Sequence, residues 1–317
     1  MRCALGLFPQ KRGTLLGVIL LSKYFHGTGK TGPYFEGWYF KCQTSEGKAI
    51  AVIPAFHVDQ GNQRSASLQV IADSGTWWLE YPAEEFSAAH AHLEILIGPN
   101  AFSEAGISLE IEQPGITLQG RLDFGPFLPL KSDIMGPFRF LPNMECSHGV
   151  VSMTHSLQGQ LTLNGAMLDF TGGKGYIETD RGRAFPRAYL WAQCSWSHGS
   201  LMLSVAAIPL AGIHFTGCIC ALIHNGEAYR LATYRGVKVE RWSEHGALLR
   251  QGRYRLELEM MENQPQPLRA PADGAMVRTI HESLCAKLRC RFWIGDTLLF
   301  EHTDCRGSFE YSNPRAN

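Results

Sequence analysis

Alternating apolar and polar side chains recur along much of this chain and predict β-strands. Residues 107–112, 116–119 and 254–259 each show this period of two, which is typical of an antiparallel strand with one buried face. Asn164-Gly165 and Asn225-Gly226 fall between such segments, and both residue types supply the positive φ that tight hairpins need. Long segments with a 3.6-residue apolar period are missing. The pattern therefore predicts an all-β protein built from antiparallel barrels or sandwiches.

A weak internal repeat suggests that one β-domain occurs twice. Residues 38–54 and 190–209 share an outline in which an aromatic strand, a glycine turn and an Ile-Pro segment follow one another. Residues 109–112 are echoed by residues 256–259 at a similar offset of about 150 residues. The alternative is that unrelated hairpins resemble each other. A duplication predicts a boundary near residues 170–187.

Composition excludes some classes of function. The 317 residues are 45% hydrophobic and 18% charged, and 29 basic side chains balance 29 acidic ones. A protein that binds a phosphate backbone usually carries a basic stripe, so we expect no nucleic-acid partner. Nine cysteines without a CxxC pair fit neither a disulfide framework nor a zinc site. We expect a reduced, cytoplasmic protein.

The N-terminus superficially resembles a secretion signal. Lys11 and Arg12 precede an apolar run over residues 15–21. This run is too short to span a bilayer, and no small-residue cleavage pattern follows it. We expect a buried N-terminal strand or helix instead.

Two aromatic, glycine-flanked segments carry candidate acids. Residues 33–41 contain Glu36, and residues 175–186 contain Glu178 and Asp180. A carboxylate among apolar side chains loses hydration, which raises its pKa and suits acid chemistry near neutral pH. The alternation within the second segment puts Glu178 and Asp180 on one face of a strand, about 7 Å apart.

Each candidate also has a structural interpretation. Glu36 could point outward from a solvated strand, and Glu178 with Asp180 could form surface ion pairs with Arg181 or Arg183. His148 could accept a phenolic proton or serve only as a structural hydrogen-bonding group. The aromatic candidates could line a cavity or fill the core: Trp38, Tyr39, Tyr176 and Trp191. His90 and His92 lack a third ligand at a convincing spacing, so we expect no metal.

Several of these segments, taken in order, resemble the tocopherol cyclase family. They are Tyr-Phe-Glu-Gly-Trp-Tyr-Phe-Lys at 34–41, Leu-Asp-Phe-Gly-Pro-Phe at 122–127, Cys-Ser-His-Gly-Val at 146–150, Ser-Met at 152–153, and the segment from Gly175 to Cys194. The resemblance implies two consecutive lipocalin-like antiparallel β-barrel or sandwich domains. The expected division is an N-terminal segment packing on the barrel over 1–30, a first domain over 31–180 and a second over 181–317.

The same resemblance implies a cofactor-free cyclase that closes the chromanol ring of tocopherols from a prenylated benzoquinol. Related carotenoid hydratases share the scaffold. One difference from the plant pattern is that Asp180, Arg181 and Gly182 replace Asn-Trp-Gly, so a guanidinium stands where an indole would hold a ring or prenyl tail. The partner is then a hydrophobic small molecule, and transient contact with a membrane stays open.

The chemistry of such a cyclase defines the residues that it needs. Protonating a prenyl double bond gives a tertiary carbocation, which the neighbouring phenol oxygen attacks to close the ring. This requires an acid, a proton acceptor and aromatic faces that stabilise the cation. The candidates for proton transfer are Glu178, Asp180, Glu36 and His148, and those for substrate binding are Trp38, Tyr39, Tyr176, Trp191 and Gln193.

Two other functions remain open on this scaffold. If water reaches the carbocation, the enzyme is a hydratase. If the carboxylates face solvent and aromatic side chains line an empty pocket, the protein is a lipid carrier.

Overall fold

A computed structural model describes residues 24–141, 144–210, 213–303 and 306–313. Within these ranges the chain forms 23 β-strands and three 3₁₀-helices, at Ala83–Glu85, Gly136–Phe140 and Thr233–Arg235. The predicted all-β class is confirmed. The apolar run over residues 15–21 lies outside the described residues. Among the described residues, no helix has the length and apolar character needed to cross a membrane.

The first sheet contains 12 antiparallel strands. They are β1 (Tyr34–Gln43), β2 (Ala49–Val58), β3 (Arg64–Ala72), β4 (Gly75–Pro82), β5 (Phe86–Ala88), β6 (Glu94–Ile97), β7 (Asn100–Ser103), β8 (Gly106–Gln113), β9 (Ile116–Phe124), β10 (Cys146–Leu163), β11 (Ala166–Asp169) and β12 (Lys174–Gly182). Their order is β4-β3-β2-β1-β12-β10-β9-β8-β7-β6-β5, and β11 pairs with β10.

The second sheet contains the remaining 11 antiparallel strands. They are β13 (Tyr189–Trp196), β14 (Gly199–Leu210), β15 (Ile213–His224), β16 (Glu227–Ala232), β17 (Lys238–Ser243), β18 (Gly246–Gln251), β19 (Tyr254–Glu262), β20 (Gln266–Ala272), β21 (Ala275–Ile294), β22 (Thr297–Thr303) and β23 (Gly307–Ser312). Their order is β16-β15-β14-β13-β23-β21-β19-β18-β17, with β20 and β22 also paired with β21.

The two sheets share the strand order from the first meander to the long strand. In each, four consecutive strands form a meander, the last strand returns beside the first, and a long strand (β10 or β21) comes next. The long strand also pairs with the short strand that follows it, β11 or β22. This correspondence supports the duplication inferred from the sequence. The domain boundary at residues 180 and 181 stays a prediction, and β12 continues to Gly182.

Among the described residues, three large clusters of buried apolar side chains and one small cluster stabilise the molecule. One consists of residues from the first sheet and its loops, and one of residues from the second. The third combines side chains of both halves, among them Tyr39, Tyr176, Trp191 and Leu284. Burial of apolar area is the main favourable contribution to folding. The third cluster therefore packs the two sheets against each other and surrounds the space in which the candidate site lies.

We expect acid to destabilise the fold through His155. This imidazole is buried on β10 between Phe124 and Phe127, at ring-centroid distances of 4.6 and 4.9 Å. Burial lowers its pKa to about 3, well below the value of about 6.5 in an unfolded chain. Between these two values the unfolded state binds the extra proton, so the free energy of unfolding falls as pH falls.

Urea unfolding of the wild type and of His155→Gln at about pH 7 and about pH 4 tests this. Glutamine cannot titrate, so the decrease in the free energy of unfolding between these two pH values should be smaller in the variant by roughly 2 kcal/mol or more. Equal losses in both proteins would show that His155 does not contribute.

Candidate active site

A cavity of about 180 Å³ lies between the two sheets. Most of its lining is apolar or aromatic, with side chains from both halves such as Phe35, Phe138, Phe185, Trp191 and Ile280. Seven acidic or basic side chains also line it: His148, Glu178, Asp180, His57, Arg269, Glu282 and Glu310. An apolar cavity with a few convergent polar groups is the usual form of a small-molecule site.

Strand register brings the first three ionisable residues together. Glu178 and Asp180 lie two residues apart on β12 and point into the cavity, as the alternation predicts. His148 lies on β10 directly opposite Asp180. We call Glu178, His148 and Asp180 the His148 cluster.

His148 lies between the two carboxylates of this cluster. Its Nδ1 is hydrogen-bonded to Asp180 Oδ1 at 2.9 Å. Its Nε2 is 3.3 Å from Glu178 Oε2, close enough for an ion pair but too poorly aligned for a hydrogen bond. Burial alone would lower the pKa of His148, but the Asp180 and Glu178 carboxylates raise it well above its usual value. The cluster therefore favours a protonated imidazole.

Glu178 is held by donors from both sheets. The Tyr176 hydroxyl on its own strand donates to Oε2, and the Trp191 indole donates from the second sheet at 3.2 Å. Burial raises the pKa of Glu178, while His148 opposes that shift. The carboxylate is consequently fixed in place and can exchange a proton within the cavity.

The proposed surface ion pairs do not account for these two carboxylates. Glu178 is buried, and Asp180 is half-buried against His148. Arg183 pairs instead with Glu145 at 3.1 Å.

Glu36 is buried, but it lies apart from the cavity. It accepts hydrogen bonds from the His26 backbone and ring, both at 2.8 Å, and from the Tyr34 hydroxyl at 2.7 Å. Its neighbours on β1, Phe35 and Gly37, line the cavity from the opposite face of the strand. Glu36 therefore does not point outward, and it ties the segment before β1 to the sheet.

The aromatic candidates divide between the cavity and its supports. Tyr39 and Trp191 line the cavity and meet edge to face, with ring centroids 5.4 Å apart. Tyr176 supports Glu178 from β12, and Trp38 lies in the core of the first sheet. Gln193 lies behind the lining, where its Oε1 accepts a hydrogen bond from the Lys41 ammonium at 3.3 Å.

Two carboxyl groups of the second sheet were missed by the sequence analysis. Glu282 on β21 and Glu310 on β23 are both buried and line the cavity. The Tyr39 hydroxyl donates to Glu282 Oε1 at 2.5 Å, and the Tyr189 hydroxyl donates to Glu310. These two residues add a second acidic wall to the cavity.

The internal repeat of the sequence could have identified Glu310 as a site residue. Gly307-Ser-Phe-Glu310 repeats the outline of Gly175-Tyr-Ile-Glu178. In the strand register, Glu178 of β12 lies opposite Tyr39 of β1. Glu310 of β23 lies opposite Trp191 of β13, the first strand of the second sheet. The two glutamates therefore occupy equivalent positions in the two sheets.

The donor set of the His148 cluster is also one that a metal ion could use. Among the described residues, one donor atom from each of its three side chains lies within 4.8 Å of the others. Both imidazole nitrogens face carboxylates, which is the arrangement of a shared proton. We therefore expect purified protein to contain no stoichiometric metal, and a chelator to leave its unfolding midpoint unchanged. Elemental analysis showing one metal per chain would contradict this expectation.

Comparisons with solved structures define the class of fold. Aligned with a crystal structure of CghA with Sch210972, the chain is 12% identical with a TM-score of 0.57, over 89% of this chain and 88% of that chain. Kievitone hydratase from Nectria haematococca is 10% identical with a TM-score of 0.50, over 89% of this chain and 90% of that chain. A putative AttH from Nitrosomonas europaea is 12% identical with a TM-score of 0.50, over 96% of this chain and 99% of that chain. The chain is thus an all-β protein of two consecutive lipocalin-like antiparallel domains.

The family follows from the sequence itself. A model of tocopherol cyclase-like proteins matches residues 120–311, and the chain belongs to this family. The matched region contains His148, Glu178, Asp180, Glu282 and Glu310. No curated protein matches the sequence.

Proposed function

We propose that this protein is a cofactor-free enzyme that protonates an apolar, unsaturated substrate in the cavity between its sheets. In its specific form, the reaction closes a prenylated quinol to a chromanol, which is an isomerisation. The observation that carries the proposal is the His148 cluster, an ion-paired group of two carboxylates and an imidazole that faces an apolar cavity. The enzyme works on a hydrophobic small molecule in the cytoplasm.

The direction of the carboxylates favours an enzyme over a carrier. A carrier needs an apolar cavity. Ionisable groups inside such a cavity reduce the affinity for an uncharged lipid, because binding the lipid removes water from these groups. Here seven acidic or basic side chains line the cavity. Burial raises the pKa values of Glu178, Glu282 and Glu310, and such a concentration of ionisable groups is typical of a catalytic site.

The aromatic lining suits a cationic intermediate. The rings of Phe35, Phe138, Phe185 and Trp191 line the cavity, and an aromatic face attracts a cation without reacting with it. The carbocation formed on protonation therefore persists until the substrate's own oxygen attacks it.

Family and neighbours give the same general chemistry. The family name refers to a cyclase, and one structural neighbour is named as a hydratase. Both reactions can begin with protonation, and access of water to the cation decides between ring closure and hydration. A hydratase is the alternative, and its product is heavier by one water.

The deciding experiment is incubation of the purified protein with a prenylated benzoquinol in deuterated buffer, followed by mass analysis. A cyclised product with one carbon-bound deuterium is expected. A product that also contains water supports the hydratase. Tight binding of the quinol without any product would contradict the proposed function and favour a carrier.

A further inference from the structure

The second acidic wall is a pair of facing glutamates. Glu282 and Glu310 are cross-strand partners on β21 and β23. Directly opposed residues project from the same face of a sheet, with Cβ atoms about 5 Å apart. Both side chains are buried, with 3% and 6% exposure, and both line the cavity. Two carboxyl groups in this arrangement cannot both be ionised without a large repulsion.

Lys41 lowers the pKa of Glu282 and Arg278 lowers that of Glu310 through their charge, but neither contacts the pair. Within the described part of the chain, no basic group lies within ion-pair distance of either carboxylate. Arg278 uses its guanidinium on backbone carbonyls of residues 186 and 187 and on Ser312. Lys41 contacts Gln193 instead. At least one proton must then reside on the glutamate pair.

Burial acts in the same direction on both groups. Burial, assisted by the Glu178 carboxylate, raises the pKa of Glu282 to about 7. Burial and the neighbouring Glu282 raise the pKa of Glu310 well above its usual value. The tyrosine hydroxyls that donate to these carboxylates oppose both pKa shifts only in part, as do the charge of Lys41 at Glu282 and that of Arg278 at Glu310.

We propose that the Glu282–Glu310 pair is the proton donor of this enzyme, and that the His148 cluster on the facing sheet accepts the proton released later. The assignment rests on the proposed function and specifies its substrate as a molecule with an alkene at one end of the reacting unit and a hydroxyl at the other. The glutamate pair and the His148 cluster are adjacent. The Tyr39 hydroxyl donates a hydrogen bond to Glu282, and its ring packs against Trp191. The Trp191 indole in turn donates a hydrogen bond to Glu178.

The reaction balances without a further reactant. The carboxylic O–H bond of the pair breaks, and its proton forms a C–H bond with one alkene carbon, using the π electrons. The other alkene carbon becomes a tertiary cation, and the hydroxyl oxygen forms a C–O bond with it. The hydroxyl proton passes to a carboxylate of the His148 cluster. One proton therefore moves from one wall to the other, no electrons are exchanged, and solvent exchange restores both walls.

The roles of proton donor and proton acceptor follow from the different hydrogen-bond and ion-pair partners of the glutamate pair and the His148 cluster. Tyr176, Trp191 and protonated His148 all stabilise a negative charge on Glu178. The glutamate pair has two phenols but no cation in contact. Different environments give neighbouring titratable groups different roles in proton transfer. The glutamate pair is therefore the acid, and Glu178 in the His148 cluster is the base.

Infrared spectroscopy tests the shared proton directly. The wild type at neutral pH should show the carbonyl-stretching band of a protonated carboxyl group that disappears in the E282Q/E310Q double variant. The matched control is Glu257→Gln, which removes a buried glutamate held by Arg241, Arg255 and Arg291. Because three arginines pair with that carboxylate, its loss should leave the band unchanged. A wild-type spectrum identical to that of the double variant would overturn the proposal.

Turnover of the prenylated benzoquinol separates this inference from the proposed function. The double variant should lose about 10²- to 10⁴-fold in turnover, keep its unfolding midpoint and still bind the quinol. Wild-type turnover with an equally active double variant would overturn the donor assignment alone. No turnover by the wild type, despite the infrared band, would overturn the proposed function and the donor role with it.

Discussion

Replacing Glu178 by glutamine is expected to reduce turnover of a prenylated benzoquinol by about 10²- to 10⁴-fold, because the amide can neither take up a proton nor carry the charge that faces His148. Glutamine has the same shape, and its carbonyl can still accept hydrogen bonds from Tyr176 and Trp191. Binding should therefore change much less than turnover. Single-turnover kinetics with product analysis by mass, together with a separate measurement of quinol affinity, give the two quantities.

The matched control for this variant is Glu112→Gln, which makes the same substitution at an exposed position of β8. Its turnover should equal that of the wild type. Retention of full turnover by Glu178→Gln would remove Glu178 from the mechanism. A loss of turnover in proportion to a loss of folded protein would assign Glu178 a structural role only.

Most of the fold could be predicted because its signals are local. The alternation at residues 107–112 and 254–259 predicts strands that the structure contains as parts of β8 and β19. Asn164 and Asn225 adopt positive φ at hairpin turns, as the Asn-Gly pairs indicate. A strand with one buried face requires only its own sequence to show that pattern. A duplication was also predicted, because short motifs recur at a similar offset of about 150 residues.

The site was predicted only where its residues are neighbours in the sequence. Glu178 and Asp180 share a strand face by their spacing alone. The contact of His148 with Asp180 depends on the register of β10 against β12, more than 30 positions apart. Glu282 joins the site through a bond from Tyr39, 243 positions away. Such contacts follow from tertiary packing, which the alternation of one strand does not specify.

Glu36 shows why an aromatic setting alone did not identify the correct strand face. The segment around it contains Phe35, Trp38 and Tyr39, which point to both sides of β1. Tyr39 faces the cavity, while Trp38 faces the core of the first sheet. When both faces of a strand are buried, apolar residues stop alternating with polar ones. The sequence then leaves the direction of the carboxylate open.

Replacing Trp38 by alanine is expected to lower the free energy of unfolding by about 3–5 kcal/mol, the largest effect on stability that we predict. The indole is 1% exposed and packs within the core of the first sheet, near Phe25, so its removal leaves a cavity that the rigid sheet cannot close. Urea unfolding measures the change. Phe140→Ala is the control, because Phe140 is 68% exposed and its loss should cost no more than about 0.5 kcal/mol. Because Trp38 lies outside the cavity lining, the folded fraction of Trp38→Ala should retain its affinity for the quinol. An unaltered stability with weakened binding would instead return Trp38 to the substrate site.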